Sequence, residues 1–246
     1  MKMDNTKNLD LTSNMIKIIA IIAMTIDHIT WKLFPGYTTQ PLPLILHLTG
    51  RLTAPIMMFF IVEGYHHTRN IKKYILRIFI LALISHIPFM LFVGKSVIPF
   101  KNTFFEQTSI IWGLLMGLIA LSVCKSANQS FTLWLKGLLI LLCVVLALPA
   151  NWSFPTVIAI LLMGICYGNF RWQMFWLIIS IAIYSIYYAY VSNVVYGLLQ
   201  MGIVLAIPVL ACYKGGRGSW KAMKWFFYVY YPLHLLALGI IIVFIK

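Results

Sequence analysis

The chain has 246 residues, of which 62% are hydrophobic and only 10% charged, with a mean hydropathy of +0.92, whereas soluble domains carry roughly 25% charged residues. That composition excludes a water-soluble globular protein and describes an integral membrane protein. The net charge of +14 falls along one side of the apolar runs, which excludes nucleic acid as its cause and points to anionic lipid at a membrane surface.

Runs able to cover about 30 Å of hydrocarbon, roughly 20 residues at 1.5 Å rise, follow one another at 14–34, 44–65, 73–94, 107–124, 131–149, 154–169, 172–191, 194–212 and 225–245. This predicts an all-α polytopic membrane helical bundle of about nine transmembrane helices, in a single domain over 1–246. Turn chemistry at Pro35-Gly36, Pro41, Pro43, Pro99, Pro149, Asn151 and Lys214 to Gly218 separates the runs. The first run is preceded by a polar stretch and carries an Asp-His pair, so it reads as a retained helix and not as a signal peptide. With the amino terminus in the cytoplasm, Lys2, Lys7, Lys17, Arg69, Lys72, Lys73, Arg77, Lys125, Lys136, Arg171, Lys214, Arg217, Lys221 and Lys224 share the cytoplasmic face. Only Lys32, Lys95, Lys101 and Lys246 then fall outside, as expected when cytoplasmic loops hold the excess of cations. A bacterial cytoplasmic membrane is the expected location.

Asp27 and His28 lie inside the first run, where ionisable groups are costly and by default mark function. Reckoned at 1.5 Å per residue, Asp27, His28, His47, Arg51 and His86 reach the outer half of three consecutive helices and are expected to form one polar chamber. Each has a structural alternative. Arg51 and Asp27 form a buried ion pair on one reading, His28 is a satisfied core histidine, His47 sits at the interface, and His86 bonds a carbonyl freed by Pro88. Adjacent helical residues project about 100° apart, so Asp27 is poorly placed to orient His28. His234, near the middle of the last helix and two residues after Pro232, is expected to face protein or a cavity.

At the opposite face, Glu63 to Arg69, Lys72, Lys73 and Arg77, together with Lys214 to Lys224, gather cations and glycines. Such a rim suits either phosphate groups or lipid headgroups. Aromatic belts are expected at both surfaces. Gly113 and Gly117, and Gly164 and Gly168, have the spacing of close helix contacts. The four cysteines lie on separate helices with no spacing for a disulfide framework or a metal site, and no metal is expected.

Lys17 to Ile29, Leu48-Thr49-Gly50-Arg51-Leu52, Pro55, Glu63-Gly64 with His67-Thr68-Arg69, and the closing Phe227-Tyr228 to Leu235 resemble the TraX family, in order over nearly the whole chain. Its namesake is the acetylase of the conjugative F-pilin amino terminus, and in outline it is similar to larger membrane acyltransferases, including the lysosomal heparan glucosaminide enzyme. The resemblance implies multi-pass acyl transfer with acetyl-CoA as donor and an amine, such as a peptide or pilin amino terminus, or a hydroxyl as acceptor. On that reading His28 is the general base, Arg51 is either an electrostatic stabiliser or the partner that keeps Asp27 charged and positioned, and His234 and His86 are second choices for the base. His67, Arg69, Lys72, Lys73, Lys221 and Lys224 hold the cofactor phosphates. An acetyl-histidine intermediate is the alternative chemistry. A small proton-coupled transporter or permease, and a scaffold whose buried charges are structural, are the competing classes. No paired broken helices of the alternating-access kind are visible in the sequence.

Overall fold

A computed structural model describes residues 10–96, 98, 108–127 and 132–245, without the side chains of Lys224 and 242–245. Lys101 and Lys246 therefore lie outside the described residues, as do Lys2 and Lys7. The helices are α1 Ser13–Leu33, α2 Pro41–Gly50, α3 Thr53–His67, α4 Ile71–Val93, α5 Ile110–Cys124, α6 Leu133–Leu146, α7 Ser153–Ile165, α8 Phe170–Val191, α9 Val194–Gln200, α10 Ala206–Ala211 and α11 Met223–Ile245. Two pairs are interrupted rods. Arg51 and Leu52 separate α2 from α3, and a 3₁₀ segment, Met201–Leu205, separates α9 from α10. Among the described residues, nine rods result. Pro41–His67, Ile71–Val93, Phe170–Val191 and Val194–Ala211 are long and apolar enough to cross a bilayer.

Both interruptions have a chemical cause that the expectation of continuous runs at 44–65 and 194–212 passed over. Proline removes the bond to the carbonyl four residues back and collides with it. Pro55 does this at Arg51, and Pro208 at Val204, inside the 3₁₀ segment. Helix starts are set by short polar caps: the side chains of Thr12, Asn70, Thr132, Asn169 and Asn193 each accept a backbone N–H of the first turn.

The rods alternate in direction. At one end, the starts of α1, α4 and α11 meet the ends of α3 and α10. The segment Tyr213–Ala222 folds back over the amino end of α1, where Ser13 N donates to Gly216 O (2.8 Å) and Asn14 Nδ2 to Trp220 O (2.9 Å). This end carries Arg69, Lys72, Lys73, Lys214, Arg217 and Lys221, all exposed, and is called the basic end here. Inside the bundle, α5 packs on α7 and α4 on α11. A Cβ on Gly117 would lie 2.6 Å from Ile160, and one on Gly164 2.4 Å from Leu121, so the glycine pairs serve packing within the chain. Gly168 instead takes a positive φ of 88° beyond α7.

Candidate functional site

The turn of the α-helix sends Asp27 and His28 to different partners. Asp27 faces α2, which comes close because Gly50 has no side chain: a Cβ there would stand 2.3 Å from Asp27 Cβ. Arg51 follows at the break, and its Nη2 donates to both Asp27 oxygens at 3.1 Å. Its Nη1 donates to Gln200 Oε1 (2.8 Å) and its Nε to the His47 carbonyl (3.2 Å). Gln200 Nε2 donates in turn to the Tyr196 carbonyl at 3.2 Å. The two interrupted rods thus meet at an Arg51–Gln200 bond.

His47 is a correction to the expectation of a surface residue. It is completely buried, with Nδ1 2.7 Å from Asp27 Oδ1, and packs between Trp31 and Tyr196. Its Nε2 has no partner. A buried ionic group must be paired and hydrogen-bonded to be tolerated. The Asp27 carboxylate meets that requirement through Arg51 and His47.

His28 points to α11. Its Nδ1 lies 2.8 Å from His234 Nε2, and the two rings are stacked 5.0 Å apart. His234 Nδ1 is 2.9 Å from the Tyr230 carbonyl, which accepts only, so that nitrogen carries the proton and His234 Nε2 is the acceptor. His28 therefore donates from Nδ1, leaving Nε2 as the basic nitrogen of the neutral ring. One turn away, Thr25 Oγ1 and Tyr230 Oη pair at 2.7 Å, a second rung between the same helices. His234 is brought to His28. His86 is not: its Nδ1 faces Thr108 Oγ1 at 3.4 Å, and not a carbonyl freed by Pro88.

Asp27, His28 and Arg51 line a cavity of about 400 Å³, within the range of small-molecule sites. Its walls include Trp31, Trp152, Tyr184 and Tyr188, and its mouth lies towards Lys32, Tyr37 and Lys95, at the end away from the basic one. Lys32 donates to the Phe92 carbonyl and lies over that ring. A second cavity, of about 80 Å³, begins at Lys17, Tyr74 and Tyr228 near the basic end. Met57, Ile111, Leu114 and Phe227 belong to the walls of both. The two spaces are therefore in tandem along the bundle axis.

At the basic end, Arg69, Lys72, Lys73 and Lys221 are exposed, as a cofactor rim requires, while the side chain of Lys224 lies outside the described residues. His67 is exposed, but its Nε2 is engaged by Glu63 Oε2 (3.3 Å) and Tyr167 Oη (3.1 Å). The hydroxyls of Tyr167 and Tyr213 lie beside the Glu63 carboxylate. Burial, and then the Glu63 carboxylate, push the Tyr213 phenol up to about 12, so it remains a donor. Glu63 thereby ties α3 to the ends of α7 and α10. Among the described residues no cluster of His, Cys, Asp or Glu is grouped to hold a metal.

Gln200, Tyr196 and the Thr25–Tyr230 rung are not singled out from the sequence, and His47 is placed in the polar chamber there without its role as a partner of Asp27. Two of them had usable signals: His47 lies four residues before Arg51, on the same helical face, and Pro208 marks the break beside Gln200.

The sequence matches the family model described as TraX protein over residues 12–242. It is 29% identical over 237 residues to the probable fimbrial assembly protein FimC, serogroup H1, of Dichelobacter nodosus, covering 94% of this chain and 95% of that one. No solved structure matches. With nearly the whole chain matched, and with apolar rods that suit a lipid bilayer, the protein belongs to the TraX family.

Proposed function

We propose that this protein is a membrane-embedded acyltransferase that moves an acetyl group from cytoplasmic acetyl-CoA to an amine, or a hydroxyl, presented at the far mouth of the large cavity. The observation that carries the reading is the tandem of cavities: the smaller leads from the basic end towards the larger, and the large one is lined by a histidine whose tautomer is fixed. The basic end would face the cytoplasm by the distribution of cations. Arg69, Lys72, Lys73 and Lys221 would hold the donor's phosphates there, while the thioester arm reaches inward. The family name and the fimbrial relative favour a pilin-like peptide amine as acceptor.

In the reaction, the neutral acceptor nitrogen attacks the thioester carbonyl as His28 Nε2 takes its proton. The C–N bond forms, the C–S bond breaks, and the leaving thiolate receives that proton to depart as CoA-SH. His234 orients His28 and shares its positive charge through the Nδ1–Nε2 bond. Arg51 spends its donors on Asp27, Gln200 and a carbonyl, which suits a partner of Asp27 better than a direct oxyanion donor.

One observation favours the transporter reading. Interrupted helices that meet near mid-bundle are how transporters build substrate sites, and α2–α3 meets α9–α10 at Arg51–Gln200. Purified protein incubated with radiolabelled acetyl-CoA and peptides bearing free amino termini separates the two. Release of CoA with labelled peptide supports transfer. Proton-linked solute uptake into vesicles without CoA release overturns it.

A further inference from the structure

Lys17 is a half-buried cation on the inner face of α1. It lies over the Phe60 ring at 4.8 Å and lines the smaller cavity beside Tyr74 and Tyr228. Among the described residues no carboxylate pairs with it, whereas the other charged residues of this helix interior are matched: Asp27 by Arg51, and Lys32 by a carbonyl. The charge near it is of its own sign, from Arg217 on the segment docked over the start of α1. A half-buried cation on an apolar cavity, with a second cation on the exposed segment above it and no carboxylate paired with it among the described residues, calls for an anion from outside.

Position on the helix specifies that anion further. Eleven residues separate Lys17 from His28, close to three turns, so both side chains leave α1 on nearly the same face, about 16 Å apart along the axis. Met24 continues the stripe and lines the large cavity. A phosphopantetheine arm has thirteen bonds from phosphorus to sulfur and extends to about 16 Å at the reach of roughly 1.2 Å per bond seen in extended chains. With its phosphate at Lys17, such an arm passes Met57, Ile111, Leu114 and Phe227 and places its sulfur level with His28.

We infer that Lys17, with Arg217 as outer partner, binds the phosphate of a phosphopantetheine thioester and sets the depth its sulfur reaches. The inference deepens the acyl-transfer reading and rests on it. Phosphopantetheine is carried both by coenzyme A and by acyl carrier proteins, and the phosphate next to the arm is common to them.

The test is binding to the full chain in nanodiscs, by calorimetry, of CoA, free phosphopantetheine, pantetheine without phosphate, and a holo-carrier protein. For Lys17→Met the affinity for every phosphate-bearing ligand that the wild type binds should fall roughly 10- to 100-fold, the worth of a hydrogen bond to a charged group. Pantetheine should bind both proteins alike. Lys17→Arg, which keeps the charge, should restore the phosphate-bearing ligands to within a few-fold of wild type. A preference for CoA over the carrier protein, or the reverse, names the source and supports the site in either case. Equal losses for pantetheine and phosphopantetheine, or no loss at all, overturn the role of Lys17 while leaving acyl transfer standing. Failure of the wild type to bind any of the four overturns both.

Discussion

Asp27 and His28 differ by one position and by a turn of about 100° around α1, and this gives them separate partners. The carboxylate is held by Arg51 and His47, and the imidazole by His234. Removing one side of a buried pair costs about 3–5 kcal/mol, because the other side is left charged and unpaired. Arg51→Leu should therefore reduce accumulation in the membrane, and Asp27→Asn on top of it should recover much of the loss. Immunoblots of membrane fractions check this, and an unrescued double variant would show the two charges to be independent. His28→Ala should lower turnover by roughly 10²–10⁴, the usual worth of a general base, with CoA affinity unchanged. His234→Ala should lower it less, and the double variant should be no worse than His28→Ala alone, since His234 acts through His28. Additive losses in steady-state kinetics would contradict that dependence. The separate direction of His28 is legible from helical periodicity, and the Asp27–Arg51 pair is one of the readings that depth along the helices allows. The His28–His234 contact is not legible, because 206 residues separate the partners and no periodic pattern fixes which helix returns to face α1.

The helices were legible as apolar runs, but their continuity was not. Hydropathy does not register that Pro55 and Pro208 each deprive a carbonyl one turn earlier of its donor, and those two breaks deliver Arg51 and Gln200 to each other. The closeness of α1 and α2 depends on Gly50. Gly50→Ala puts a methyl group into Asp27 itself and should cost about 1–3 kcal/mol of stability as overpacking, with loss of activity because the carboxylate must move. Gly202→Ala meets the flexible end of Leu48 at 2.4 Å, with Arg51 Cγ at 3.2 Å. It should therefore be milder on both counts. Thermal unfolding of the two variants in the same detergent checks the order. Gly202→Ala as the more damaging change would mean that the α1–α2 approach is not what positions Asp27.

At the scale of the whole molecule, the decisive property is that the cavity lined by Asp27, His28 and Arg51 stands in tandem with a smaller one nearer the basic end. The walls shared by the two cavities come from α3, α5 and α11, so no single stretch of sequence announces them, and composition alone yields only the bilayer and the cationic side. The proposed reaction needs a definite orientation: the smaller cavity with Lys17 must open where CoA is made, and Tyr37 must lie on the other side with the acceptor. In a background with Cys124, Cys143, Cys166 and Cys212 replaced by alanine, Lys221→Cys and Tyr37→Cys report on the two ends, both positions being exposed. A membrane-impermeant maleimide added to right-side-out vesicles should label Tyr37→Cys alone, and added to inverted vesicles Lys221→Cys alone. The reverse pattern would put the basic end away from the cytoplasm. Cytoplasmic CoA would then meet the wide, aromatic mouth first, and the order of donor and acceptor along the bundle would have to be exchanged.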